Sequence, residues 1–207
     1  MPQKRDAKRT KSIILQTATK LFAQQGIDGV SVDVIAKEAK INKAMIYYYF
    51  KNKATLYEVV VENILNEIYQ TILKELQQCH RPREELKVFV FTFAKFTQQN
   101  SFLSSLMLHE LSSGGKELPN NVFTGLKKLF LVLIDILERG YQKGCFKKVE
   151  PMVLHFMITG VINLFVTTKT MRENATKEFG NAVCSSCDEL EIAAILYEYI
   201  LAIVHIQ

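Results

Sequence analysis

Residues 41–53, INKAMIYYYFKNK, set Tyr47, Tyr48 and Tyr49 side by side among Lys43, Lys51 and Lys53. Phenol hydroxyls donate hydrogen bonds from a flat aromatic plate, and ammonium groups bring positive charge, a combination suited to the oxygens of a phosphate-rich polyanion. On a helix, consecutive residues step round by about 100°, so three adjacent tyrosines cannot all face one core. At least one must point outward. Ile46 and Phe50, at i and i+4, share the inward face.

The elements that must position these side chains can be read outward from them. Ile14, Ala18, Leu21 and Phe22 recur at i, i+4, i+7 and i+8 and predict a first helix that stops at Gly26 in QQGIDG. Ser31 can cap a second, short helix, with Asp33 in its first turn and Val32, Ile35, Ala36 and Ala39 as its apolar face. Asn42 can cap a third, which carries the tyrosines, and Asn52 a fourth running through Leu56, Val59, Val60, Ile64 and Ile68. Two short helices joined by a tight turn and braced by a longer one form a helix-turn-helix arrangement, whose second member enters a DNA major groove.

Charge is distributed to match. Residues 1–53 carry 11 Lys/Arg against 4 acids, a net of +7, while the other 154 residues carry 15 against 17, a net of −2. The split predicts a polyanion-binding head on a near-neutral body. A solvated basic tail would account for Lys4 to Lys11 but not for the spaced lysines that follow. The 207 residues, 48% of them hydrophobic, suffice for a buried core. The charge-free stretch from Pro151 to Thr168 has an apolar run shorter than the roughly 20 residues a membrane span needs, so it is read as a buried helix and no membrane partner is expected. MPQKRDAKRTK lacks the apolar segment of a signal peptide, which predicts a cytoplasmic protein. Cys79, Cys145, Cys184 and Cys187 form no disulfide framework in a chain of this length and suit a reducing compartment. The Cys184–Cys187 pair is read as part of a polar loop, with metal or redox use as the alternative, since neither it nor any nearby histidine completes a zinc site. No HExxH, Walker A lysine, GxSxG or paired-carboxylate pattern occurs, so no catalytic residue, metal or cofactor is expected.

The stretch ILQTATKLFAQQGIDGVSVDVIAKEAKINKAMIYYYFKNKATLYEVV resembles the DNA-binding domain of TetR-family transcription regulators. The matching positions are Ala18, Leu21, Phe22, Gly26, Ile35, Ala36, Tyr47, Tyr49, Phe50, Lys53 and Leu56. The resemblance covers residues 8–68, with the helix-turn-helix at about 31–50. It implies a homodimer on a palindromic double-stranded operator, usually as a repressor, released when a small molecule fills a C-terminal all-α domain. It also implies site residues. Lys43, Ala44 and Met45 open the recognition helix where the family touches bases and phosphates. Tyr47 and Lys53 fall on backbone-gripping positions, Tyr48 reaches into the groove, and Tyr49 lies next to a phosphate. Ser31 can offer its hydroxyl and an N–H to another phosphate. Two departures stand out. Lys40 replaces the usual turn glycine, which predicts a left-handed lysine at about 1–2 kcal/mol of strain. Met45 replaces a small hydroxylated residue, so contact from it would be apolar.

Residues 69–207 are expected to form an all-α ligand-binding and dimerisation body, with helices at about 54–79, 83–99, 102–112, 120–143, 151–173 and 188–205. About nine helices are expected in all. The family's dimer uses its last two helices, here 151–173 with the stripe Val153, Phe156, Met157, Gly160, Val161, Leu164 and Thr168, and 188–205 with Leu190, Ala193, Ala194, Tyr197, Leu201 and Val204. Packing within one subunit is the alternative for both stripes. The aromatic supply in FVFTFAKF and SFLSSLMLHEL suggests an apolar or aromatic effector, with Phe93, Phe96, Phe102, Met107, His109, His155 and Asn163 as candidate ligand-binding residues and ordinary core packing as the competing role. A regulator without a small-molecule effector, controlled by a protein partner or acting as an activator, is the alternative function.

Overall fold

The structure, a computed structural model, describes residues 2–112, 114, 119–179 and 187–205, with side chains described at 7–108, 114, 119–178 and 187–205. α1 (Pro2–Gln25) buries Ile14, Ala18, Leu21 and Phe22 and ends at Gly26, whose φ of +69° suits a residue without Cβ. α2 (Val32–Ala39), α3 (Lys43–Phe50) and α4 (Lys53–Leu76) each begin at the expected cap. The Val34 N–H donates to Ser31 Oγ at 3.2 Å, Ala44 N–H to Asn42 Oδ1 at 2.9 Å, and Thr55 N–H to Asn52 Oδ1 at 2.8 Å. Each bond satisfies one of the donors a helix start leaves free.

Lys40 takes φ 54° and ψ 43°, the left-handed conformation expected of it, and the Ile41 N–H reaches back to the Ala36 carbonyl at 3.0 Å to close α2. A second strained lysine was not foreseen. Lys51 has φ 60° and ψ −49°, and the Asn52 N–H donates to the Phe50 carbonyl at 2.6 Å, the geometry of a γ-turn. It lets α4 start with only two residues, Lys51 and Asn52, between it and α3.

The body consists of α5 (Pro82–Gln99), α6 (Ser101–Ser112), α7 (Asn120–Gln142), α8 (Pro151–Thr167), α9 (Lys169–Phe179) and α10 (Glu189–Val204). α5 packs against α4, α6, α7, α8 and α10: Phe89, Phe93 and Phe96, at i, i+4 and i+7, are buried on one face, and Val90, Ala94 and Thr97 are buried beside them. The far end is closed by Phe146, which lies against Gly140 and pairs with His205, while the Lys147 N–H donates to the Val204 carbonyl at 2.8 Å. Tyr197 Oη donates to the Arg83 carbonyl at 2.8 Å and ties α10 to the start of α5.

Among the described residues there are ten helices and no strand. The extra helix arises because the expected span 151–173 breaks at Thr168 into α8 and α9, which meet at 74°. There the hydroxyls of Thr167 and Thr168 bond back to the Asn163 and Leu164 carbonyls, and the Arg172 guanidinium lies over the Phe165 ring and donates to its carbonyl at 3.0 Å. Among the described residues no single helix is long and apolar enough to cross a membrane. Cys184 lies outside the described residues; Cys187 is disulfide-bonded, unlike the reduced state expected of the cysteines, whereas Cys79 and Cys145 are free thiols. No group of three or more His, Cys, Asp or Glu able to hold a metal occurs among the described residues.

Candidate nucleic-acid interface and body cavity

α3 is held from below by Ile46 and Phe50, both fully buried, and this rotates the tyrosines apart. Tyr48 is 77% exposed and Tyr47 44%, while Tyr49 is half-buried. The Tyr49 ring meets Tyr48 edge-on, with centroids 5.1 Å apart, so it braces the exposed ring as well as offering a hydroxyl. Ala44 is exposed beside them and Met45 is half-buried. The outcome is a convex helix face with a protruding aromatic, suited to insertion into a groove.

Two of the cations around α3, Lys43 and Lys53, are engaged within the protein. Lys43 Nζ lies 2.7 Å from Asp33 Oδ2, joining the two short helices, and 5.9 Å from the centre of the Tyr47 ring. Its hydrogen bond to Asp33 raises the Lys43 pKa above the ordinary value and keeps it charged. Lys53 Nζ donates to the Ile27 carbonyl at 2.9 Å, pinning the α1–α2 loop to the start of α4. An ammonium carries three protons, so this bond leaves two for another acceptor. Ser31 accepts from the backbone and keeps its own hydroxyl hydrogen for donation. Asp33 as the partner of Lys43 was missed, because the two lie ten residues apart and only the turn brings them together.

In the body, a cavity of about 270 Å³ lies between α4, α5, α6, α7 and α8. Of the candidate ligand-binding residues, Phe93, Met107, His155 and Asn163 line it. Phe96 is buried in the core away from it, and Phe102 sits at the head–body junction, where its ring packs edge-on against Tyr57 at 6.0 Å. The His109 side chain lies outside the described residues. Phe123 and Phe130 of α7 add two aromatic walls that sequence reading passed over, and Leu65 brings α4 to the cavity. His155, Thr159 and Asn163 follow one another at i, i+4 and i+8 on α8 and form its polar strip. Burial lowers the His155 pKa below its ordinary 6.5, favouring the neutral imidazole. A larger cleft, about 700 Å³, separates α1 from α4 and the α5–α6 junction, but Lys8, Lys11, Gln16, Asn63 and Glu67 make it a hydrophilic groove rather than an enclosed apolar site.

The two outer helices behave differently. On α8, Val153, Phe156, Val161 and Leu164 are exposed, and nothing lies within 4 Å of where a Cβ on Gly160 would be. Those positions of the stripe face outward, whereas Met157 packs against the core and Phe156 also lines the body cavity. On α10 the expected stripe is largely the inner face: Ala193, Tyr197, Leu201 and Val204 are buried in their own subunit. The outward apolar residues are instead Ile195, Tyr199 and Ile203, with Leu190 at the helix start. α10 is apolar around most of its circumference, so spacing alone does not say which side is covered.

Residues 14–60 match bacterial regulatory proteins of the tetR family, and residues 61–182 match the C-terminal region of YsiA-like proteins. The chain belongs to the TetR family of transcription regulators. Among its relatives, the repressor NicS of Pseudomonas putida is 31% identical over 143 residues, 68% of each chain. IcaR of Staphylococcus aureus, the negative regulator of the biofilm operon icaADBC, is 24% identical over 82% of this chain and 87% of its own. FadR of Bacillus subtilis, solved with stearoyl-CoA, shares the fold at a TM-score of 0.76 and 22% identity, covering 94% of this chain and 99% of its own. As a TetR-family member the protein is a DNA-binding transcription regulator and not an enzyme. The family match to the head spans α2 and α3 whole, and the match to the body spans every residue of the cavity wall.

Proposed function

We propose that the protein is a homodimeric repressor that holds a palindromic operator through α3 and releases it when a small, largely apolar or aromatic effector fills the body cavity. Residues 8–68 serve as the head and 69–207 as the body. Tyr48 meets bases. Lys43, Tyr47, Tyr49, Lys53 and Ser31 hold phosphates, and Ala44 and Met45 give close apolar contact. The outward apolar faces of α8 and α10 pair with those of a second copy.

The observation that carries this reading is the way two helices span both sites. α4 begins after only two residues beyond the recognition helix, Lys51 and Asn52, and reaches the cavity at Leu65, about 18 Å along its axis at 1.5 Å per residue. α6 places Leu103 and Met107 on the cavity and Phe102 against Tyr57, whose ring in turn meets Phe22 of α1 at 5.5 Å. A ligand that displaces α4 or α6 therefore moves the base of the head, and the two binding events share one free-energy coupling. Selection of bound duplexes from a random pool tests the DNA side. Wild type should recover a palindrome, and Tyr48→Ala should bind DNA but lose preference at one base pair in each half-site. Recovery of the same site by both proteins would remove Tyr48 from base contact.

A further inference from the structure

The polar strip of the cavity holds hydrogen-bond acceptors that no group among the described residues uses, beside the Nδ2 donor of Asn163. Asn163 is 3% exposed, and its Oδ1 accepts from no group among the described residues. The Thr159 hydroxyl hydrogen is committed to the His155 carbonyl at 2.9 Å, which leaves only its lone pairs toward the cavity. His155 Nδ1 is likewise buried without a partner. A buried carbonyl oxygen left without a donor costs on the order of ten- to a hundredfold in an equilibrium constant, which a ligand supplying that donor recovers on binding.

The rest of the wall limits what that ligand can be. Among the described residues lining the cavity, Lys127, exposed at the rim, is the one charged residue, and none is a carboxylate. A cation would lose its hydration without gaining a counter-charge, and an anion would be desolvated among apolar walls with Lys127 only at the exposed rim. The facing surfaces, Phe93, Met107, Phe123 and Phe130, are apolar. His155 and Asn163 lie eight residues apart, about 12 Å along α8, so an elongated molecule can run along the strip.

We infer that the ligand of this cavity is uncharged and largely apolar, and that it presents a hydroxyl or N–H to the Asn163 Oδ1. The inference rests on the reading of the cavity as the effector site. Calorimetric titration of the full-length protein with 4-hexylphenol, its methyl ether 4-hexylanisole, and 4-hexylbenzoate tests it. The three share an apolar body and differ in donating, lacking a donor, or carrying a negative charge. Wild type should bind the phenol at least about tenfold tighter than the ether, with the benzoate weaker than the phenol. Asn163→Leu should bind phenol and ether within about twofold of each other and should melt no lower than wild type without ligand, since it removes an unpaired buried acceptor. Equal binding of phenol and ether by wild type, or tighter binding of the benzoate, overturns the donor assignment while leaving the cavity as a binding site. If none of the three binds, the effector-site reading falls and the inference falls with it.

Discussion

Lys51 and Lys40 pay a conformational cost at the two turns that frame the recognition helix. Both have positive φ, where a Cβ crowds the backbone at about 1–2 kcal/mol, partly offset in a glycine by its greater unfolded entropy. Lys51→Gly should therefore raise stability by up to about 1 kcal/mol, read from the urea midpoint. The Lys40 conformation was legible, because helix-turn-helix register places a left-handed residue at that position. Nothing marked Lys51, since lysine is no turn former and a γ-turn leaves no sequence signature. His155 makes a pH prediction. Its folded-state pKa is lowered, so the unfolded chain takes up the proton first, and stability contributed by the neutral ring is lost as pH falls through the ordinary value of 6.5. His155→Leu should flatten the melting temperature between pH 7.5 and 5.5 relative to wild type. An unchanged slope would mean that the imidazole charges without cost.

Helix starts were the most legible elements, because Ser31, Asn42 and Asn52 are short polar side chains standing directly before apolar periodicity, and each caps as expected. Where the chain turns within a long apolar or mixed run, spacing was silent. The α8–α9 corner is made by Thr167, Thr168 and Arg172 through tertiary geometry, and the covered side of α10 is decided by α5 and α8 packing against it. Gly140 belongs to the same class: a Cβ there would stand 1.9 Å from the Phe146 ring. Gly140→Ala should cost about 1–3 kcal/mol by forcing Phe146 out of its seat, measurable as a lowered urea midpoint at unchanged slope. The outward faces of α8 and α10 yield a test of assembly. Leu164→Glu combined with Ile195→Glu should convert a dimer into a monomer in size-exclusion chromatography with light scattering. A wild-type monomer at micromolar concentration would contradict the proposed interface.

Across the whole molecule, the charge split between +7 in residues 1–53 and −2 in the rest was plain in the sequence, and the structure shows how the excess is presented. The tyrosine face of α3 stands outward, while Lys43 and Lys53 are held by Asp33 and the Ile27 carbonyl rather than extended freely. The cavity was legible only in part. Phe93 and Met107 could be drawn from an aromatic-rich pair of helices, but Phe102 went to the head–body junction and the α7 walls were missed, because a hollow is a property of five packed helices and not of any one segment. The head's proposed grip on DNA is tested most directly by the affinity for its selected operator, measured by fluorescence anisotropy across a salt series for wild type and Lys43→Ala. Wild-type affinity should fall steeply and linearly in log–log form as each phosphate contact releases counterions, and Lys43→Ala should bind more weakly with a slope shallower by about one. A wild-type affinity indifferent to salt, or an unchanged slope in the variant, would contradict the placement of Lys43 and α3 against the phosphate backbone.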